Sequence, residues 1–63
     1  MHDLPLPVRC ALEWFAASGE RTRERLMGLV EHYLTTYGLQ HAPERAQWEA
    51  QAWAFARNRY GLV

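Results

Sequence analysis

The sequence contains no isoleucine, no lysine and only one cysteine among its 63 residues. A lone cysteine excludes an intramolecular disulfide as a support for so short a chain. The formal net charge is zero, which disfavours a nucleic-acid binder that works mainly by charge. The chain also lacks any apolar run near the roughly 20 residues that a membrane-spanning helix needs. What remains is one small globular domain, whose single core rarely supplies more than about 3–5 kcal/mol.

The basic charge comes from seven arginines, and alanine and leucine are abundant. This bias is typical of a gene from a GC-rich genome, because isoleucine, lysine and asparagine have AT-rich codons. The alternative interpretation is selection for arginine forks, which bind carboxylates in a bidentate manner. The stretch Met1–Pro7 has no basic segment and is interrupted by two prolines, so we expect no signal peptide. An unpaired thiol then favours a reducing cytoplasm.

The amino-terminal third of the chain predicts an extended lead-in followed by a short helix. Two prolines within residues 1–7 disfavour helix in the residues that precede them. Apolar side chains then recur at helical spacing from Val8 to Phe15, and Gly19 provides a residue that can end a helix. We therefore predict a first helix over residues 8–18, too short to be stable without packing on a neighbour.

The middle of the chain carries the clearest amphipathic pattern. Apolar residues from Leu26 to Tyr37 recur at steps of three and four and fall within an arc of about 140°. Charged and polar side chains occupy the opposite side. The pattern predicts a second helix over residues 20–37, with Gly38 just beyond its end.

The last third predicts a third helix over residues 43–60. Pro43 suits the first position of a helix, and Gly61 suits the position after the last turn. The short connection after the second helix favours an antiparallel pair. The predicted fold class is therefore all-α, in a single domain over residues 1–63. A short amino-terminal helix precedes an antiparallel helical hairpin, and we expect the domain to be dimeric.

Small residues form a narrow stripe along the third helix. Small side chains let two helix backbones approach closely, so we expect this stripe to pack against the second helix. The stripe consists of Ala42, Ala46, Ala50 and Ala54.

The large apolar residues of the third helix lie on two other faces. Trp48 and Phe55 share one side, while Trp53 and Tyr60 share another, about 140° away around the axis. Ala52 and Ala56 fall between these two sides. One neighbouring helix cannot cover an arc this wide, so part of it is exposed or buried in a second chain, as in a homodimer.

The third helix therefore supplies the candidate partner-binding residues. Tryptophan, tyrosine and arginine dominate binding hot spots in protein interfaces. The alternative interpretation is that the tryptophans belong to the core, as most do in so small a domain. The predicted binding residues are Trp48, Trp53, Phe55, Arg57, Arg59 and Tyr60.

No pattern in the sequence predicts catalysis or a metal site. The metal-binding side chains His2, Cys10, His32 and His41 lie on different segments, without the close spacing of a zinc site. Cys10 with His32 could form a nucleophile pair, but a small buried thiol is the simpler interpretation. A glycine-rich phosphate loop is also absent. We therefore expect no catalytic residue, no cofactor and no enzymatic activity.

DNA binding and membrane binding are two other functions to set against protein binding. A helix-turn-helix regulator would read DNA with the third helix, where Arg45, Gln51, Arg57 and Arg59 could contact bases or phosphates. Zero net charge and tryptophan-rich faces disfavour that function. The polar face of the second helix lacks the arginine and lysine excess of membrane-surface helices, so we expect no membrane binding.

In size, in GC-rich composition and in the helical-hairpin plan of residues 8–61, the chain resembles the small early proteins of Mu-like transposable phages of pseudomonads. The nearest to a signature within that plan is Ala50-Gln51-Ala52-Trp53-Ala54-Phe55-Ala56-Arg57. Some of those proteins bind and inhibit a host pilus-assembly ATPase, a quorum-sensing transcription activator, or both. The resemblance implies a non-enzymatic protein that blocks a larger host protein.

The sequence as a whole predicts a small protein-interaction module that modulates, and by the resemblance inhibits, a larger host protein. Two alternatives stay open. One is a small helix-turn-helix-like DNA-binding regulator that uses the third helix, and the other is a small subunit that completes a larger assembly.

Overall fold

The computed structural model describes residues 4–61, and within that range the chain forms three α-helices and no strand. This confirms the predicted all-α class. The helices are α1 over Leu6–Ser18, α2 over Arg23–Thr36 and α3 over Arg45–Tyr60. Most of the predicted lead-in is either helical or outside the described residues, since residues 1–3 are not described.

Helix α1 begins two residues earlier than predicted, at Leu6. Pro5 is its amino-terminal cap, with φ −67° and ψ 160°, and its carbonyl accepts from the backbone N–H of Val8 and of Arg9. Pro7 sits inside the first turn, where the N–H groups have no helical acceptor, so a missing N–H costs nothing. The helix ends at Gly19, whose φ of 81° is left-handed, as the sequence predicted.

Helix α2 begins three residues later than predicted, because Thr22 caps it. The Thr22 hydroxyl accepts from the backbone N–H of Arg25 at 3.1 Å and donates to the Glu20 carboxylate at 3.0 Å. A hydroxyl cap of this kind stabilises a helix start by roughly 1 kcal/mol. Glu20 and Arg21 therefore lie in the loop between α1 and α2.

The chain leaves α2 through a glycine turn that the sequence predicted at Gly38. The N–H of Leu39 donates to the carbonyl of Leu34 at 2.7 Å, and that of Gly38 donates to Thr35 at 3.1 Å. This pair of bonds around a left-handed residue is a Schellman motif, and φ of Gly38 is 75°. Leu39 packs against the core, which fixes the direction in which the chain continues.

Helix α3 begins at Arg45, two residues after the predicted start. The N–H of Arg45 donates to the carbonyl of Ala42 at 3.0 Å, and Glu44 has φ −84° and ψ 0°. These values describe a type I turn with Pro43 at its second position, where the fixed φ of proline is favoured. Pro43 therefore shapes the turn before the helix and is not its first residue.

Arg45 ties the start of α3 to its surroundings. Its Nε donates to the Glu49 carboxylate at 2.9 Å, and one terminal nitrogen donates to the carbonyl of Gln40 at 3.0 Å. The other terminal nitrogen lies 4.0 Å from the Glu31 carboxylate on α2. Only the contact with Glu31 reaches α2, and each of these partly exposed contacts contributes little to stability.

The core is contributed unequally by the three helices. The fully buried residues are Val8, Ala11 and Phe15 from α1, Leu26, Val30 and Leu34 from α2, and Ala52 and Ala56 from α3. The most extensive contacts join α1 to α2, and α3 has fewer contacts with either of them. Helix α3 packs on the other two through its two buried alanines and through Trp48, Trp53 and Tyr60, which are partly buried against the core.

The predicted alanine stripe does not pack against α2. Ala46, Ala50 and Ala54 are exposed, and the buried small residues of α3 are Ala52 and Ala56, on roughly the opposite side of the helix. The reason is that the core side of α3 must also bring Trp48 and Trp53 against the other helices. Ala52 and Ala56 lie between these two tryptophans around the helix axis, so burying these alanines lets both tryptophans reach the core.

Replacing either of two alanines on α3 by leucine tests this placement. Ala52→Leu should lower the free energy of unfolding by about 1–3 kcal/mol, because it overfills a packed core. Ala54→Leu, on the exposed side of the same helix, should change it by no more than about 0.5 kcal/mol. Chemical denaturation followed by circular dichroism measures both, and a larger loss for Ala54→Leu would contradict the placement.

A candidate partner-binding groove

A groove of about 370 Å³ runs between α1 and α3 on the surface of the domain. One wall comes from α1, through Arg9, Leu12, Glu13 and Ala16. The other wall comes from α3, through Phe55, Arg59 and Tyr60, and Leu4 closes one part of the groove. We call this surface the α1–α3 groove.

The α1 wall follows from helical spacing. The four wall residues of α1 succeed one another at steps of three and one, so they share the flank of α1 next to its core stripe. Leu12 is half-buried and packs against the core, while Arg9 and Glu13 are exposed. The wall therefore changes from apolar at its base to charged at its rim.

Phe55 is the main exposed aromatic side chain of the α3 wall. Its exposed fraction is 43%, although it belongs to a helix whose other large aromatics pack on the core. Burying an aromatic side chain fully stabilises a protein by roughly 1.5–3 kcal/mol, and a little under half of that burial is missing at Phe55. An exposed aromatic in a concave apolar surface is a typical feature of a binding site.

Tyr60 connects the groove to the core. Its ring lies 5.9 Å from that of Phe15, measured between centroids, with a tilt of 59°. The guanidinium carbon of Arg21 lies 4.1 Å from the centre of the Tyr60 ring. Arg21 also donates to the carbonyl of Ala16 at 3.2 Å, so the loop after α1 holds the end of α3 in place.

The charges at the groove are predominantly positive. Arg9 and Arg59 line it and Arg21 covers Tyr60, whereas Glu13 is the carboxylate in its lining. Among residues 4–61, the ion pairs involve Arg45 with Glu31 and with Glu49, and none includes Arg9 or Arg59. Of the arginines at this surface, Arg21 is engaged by Tyr60 and Ala16, while Arg9 and Arg59 have no ion-pair partner in that range.

The structure brings together three of the six predicted binding residues, Phe55, Arg59 and Tyr60. Trp48 and Trp53 are half-buried and pack against the core on either side of the buried alanines. This is the arrangement that the alternative interpretation of the tryptophans anticipated. Arg57 is exposed on α3 but does not line the groove.

Sequence reasoning missed the α1 half of the groove. Arg9, Leu12, Glu13 and Ala16 carry a helical spacing that could have identified a common flank, but spacing alone does not say which neighbour that flank faces. It also left open which tryptophan is exposed. The structure shows that Trp14 on α1 is 58% exposed and lies outside the groove lining.

The remaining chemistry of the described residues is sparse. Within residues 4–61, no three histidine, cysteine, aspartate or glutamate side chains are close enough to hold a metal ion, and His2 lies outside that range. Cys10 is half-buried, and as the one cysteine of the sequence it has no partner for an intramolecular disulfide. None of the helices in this part of the chain is long and apolar enough to cross a membrane.

Removing the arginine that covers Tyr60 should loosen this end of the groove. Arg21→Ala should lower the free energy of unfolding by about 1 kcal/mol, from the lost cation–π contact and the lost bond to Ala16. Arg25→Ala, an exposed arginine on α2, is the matched control and should change it by less than about 0.5 kcal/mol. Equal losses for the two variants in thermal or urea denaturation would contradict this contribution.

Comparison with known proteins adds no relative from which a function could be transferred. Protein-family models, curated proteins and solved structures all give no match to this chain.

Proposed function

We propose that this chain is a small, non-enzymatic interaction module whose α1–α3 groove binds a segment of a larger protein and thereby inhibits it. The observation that carries the proposal is Phe55, an aromatic side chain that stays 43% exposed in a groove lined by apolar side chains and arginines. A domain this small has little apolar area to spare, so leaving such a residue exposed favours a role in binding.

The residue types at the groove support binding to protein. Aromatic side chains and arginine account for most of the binding energy in protein interfaces. Phe55 and Tyr60 supply the aromatic area, and Arg9 and Arg59 supply directional bonds to carboxylates. Tyr60 is fixed by Phe15 and Arg21, so part of the surface is ordered before the partner arrives, which lowers the entropic cost of binding.

The composition of the groove lining also favours binding over catalysis. Among the described residues that line it there is one carboxylate, Glu13, and there is no histidine, cysteine or serine. General acid–base and nucleophilic catalysis need such groups within hydrogen-bond reach of one another. The groove instead presents a concave apolar surface bordered by arginine side chains.

The sequence supplies the parts of the proposal that concern the target, the cellular compartment, the arrangement of α2 and α3 and the oligomeric state. The resemblance to small early proteins of Mu-like pseudomonad phages favours a host target such as a pilus-assembly ATPase or a quorum-sensing activator. The unpaired Cys10 favours action in the cytoplasm. We also retain the antiparallel arrangement of α2 and α3 and a homodimer as parts of this proposal.

Capture of the target with matched variants tests the proposal. Tagged wild-type protein should retain one stoichiometric host protein from a nuclease-treated lysate of a GC-rich bacterial host. Phe55→Ala should lose that protein, because it removes the exposed aromatic while alanine preserves the helix. Trp14→Ala, which removes a still more exposed aromatic outside the groove, should retain it. Mass spectrometry of the eluates gives the result.

Three results would contradict the proposal. Loss of the target with both variants, or with neither, would show that the groove is not the binding surface. Recovery of no host protein from the nuclease-treated lysate, together with binding to added duplex DNA that salt of roughly 0.5 M abolishes, would favour the DNA-binding alternative.

Sedimentation equilibrium of the full chain tests the dimer separately. A homodimer should give twice the 7.4 kDa mass of one chain. A monomer mass across a wide concentration range would exclude the dimer and leave the groove proposal unaffected.

A further inference from the structure

We propose that the partner segment is an amphipathic helix of acidic and apolar residues. Its apolar side chains would contact Phe55 and Leu12, and its flanking carboxylates would pair with Arg9 and Arg59. This inference rests on the proposed function and specifies the chemistry of the partner, which the proposed function leaves open.

The shape of the groove favours a helix over other segments. Its two walls are helices, and a third helix laid between them would bury its apolar stripe against both. Helix-in-groove binding of this kind uses apolar residues at steps of three and four. The volume of about 370 Å³ lies at the small end of ligand sites, so it accommodates a few large side chains and not a folded domain.

The charges at the groove indicate which residue types should flank the apolar stripe of the partner helix. Three arginines, Arg9, Arg21 and Arg59, stand against one glutamate, Glu13, at this surface. The whole chain is formally neutral, so this positive excess is local and is not a consequence of composition. Because the guanidinium is planar and always charged, it pairs best with carboxylates, which favours glutamate or aspartate beside the apolar stripe.

The same charges disfavour a second copy of this chain in the groove. Two such surfaces placed face to face would bring six arginines together with two glutamates, and like charges across an interface are costly. A homodimer would then have to use another face.

Selection from a designed peptide library tests the inference. The probe is a displayed library of helical peptides of about 15 residues, with leucine at steps of three and four. The positions flanking the leucines are randomised among glutamate, lysine and alanine. Folded wild-type protein is the bait, and sequencing of the bound pool gives the ratio of glutamate to lysine at the flanks. We expect glutamate to be enriched by about fivefold or more.

Variants of the bait assign the preference to named residues. The double variant Arg9→Glu and Arg59→Glu should reverse the preference toward lysine. Arg57→Glu, an exposed arginine on the same helix outside the groove, should leave it unchanged. Phe55→Ala should abolish enrichment of the whole pool. Circular dichroism of each bait establishes that its helices are intact before selection.

The outcomes separate this inference from the proposed function. Enrichment that depends on Phe55 but shows no charge preference, or favours lysine, would overturn the acidic partner and leave the groove as the interaction site. Glutamate enrichment that survives the double variant would also overturn it. No Phe55-dependent enrichment, together with target capture that is insensitive to Phe55→Ala, would overturn both.

Discussion

The position of α3 depends on two alanines, Ala52 and Ala56, which are its fully buried residues among those described. Side chains this small let the helix lie close to the α1–α2 pair, but they contribute little apolar area of their own. The area comes instead from Trp48 and Trp53, which reach over the core from either side of the alanine line. Because Ala52 and Ala56 face the core, Phe55 lies on the flank of α3 that borders α1, where it lines the α1–α3 groove.

Tyr60 joins this core to the surface. Its ring packs at a tilt against the buried ring of Phe15 and is covered by Arg21 from the α1–α2 loop. One side chain therefore closes the end of the bundle and forms part of the groove wall. A residue that packs against the core therefore also lines the groove.

The positions of the charged side chains determine the character of this surface more than the net charge of the chain does. Arg45 is engaged by Glu49, Glu31 and a backbone carbonyl, and it acts within the fold. Arg9 and Arg59 have no such partner among residues 4–61 and border an apolar surface instead. A formally neutral chain can thus present a locally positive site, which composition alone would not indicate.

The sequence by itself determined the number and type of the helices, because the three- and four-residue spacing of apolar side chains and the glycines at 19, 38 and 61 act locally. It was less reliable at helix starts. There, a hydroxyl cap at Thr22 and a type I turn at Pro43 compete with helical spacing for the same residues.

Only the tertiary structure decided which face of α3 is buried. Two alanine lines, one through Ala46 and Ala50 and one through Ala52 and Ala56, offer similar close packing to a single neighbour. Which of the two lines is buried depends on where Trp48 and Trp53 lie relative to both α1 and α2. The groove likewise required two helices distant in sequence to come together, and periodicity within one helix carries no information about its neighbour's flank.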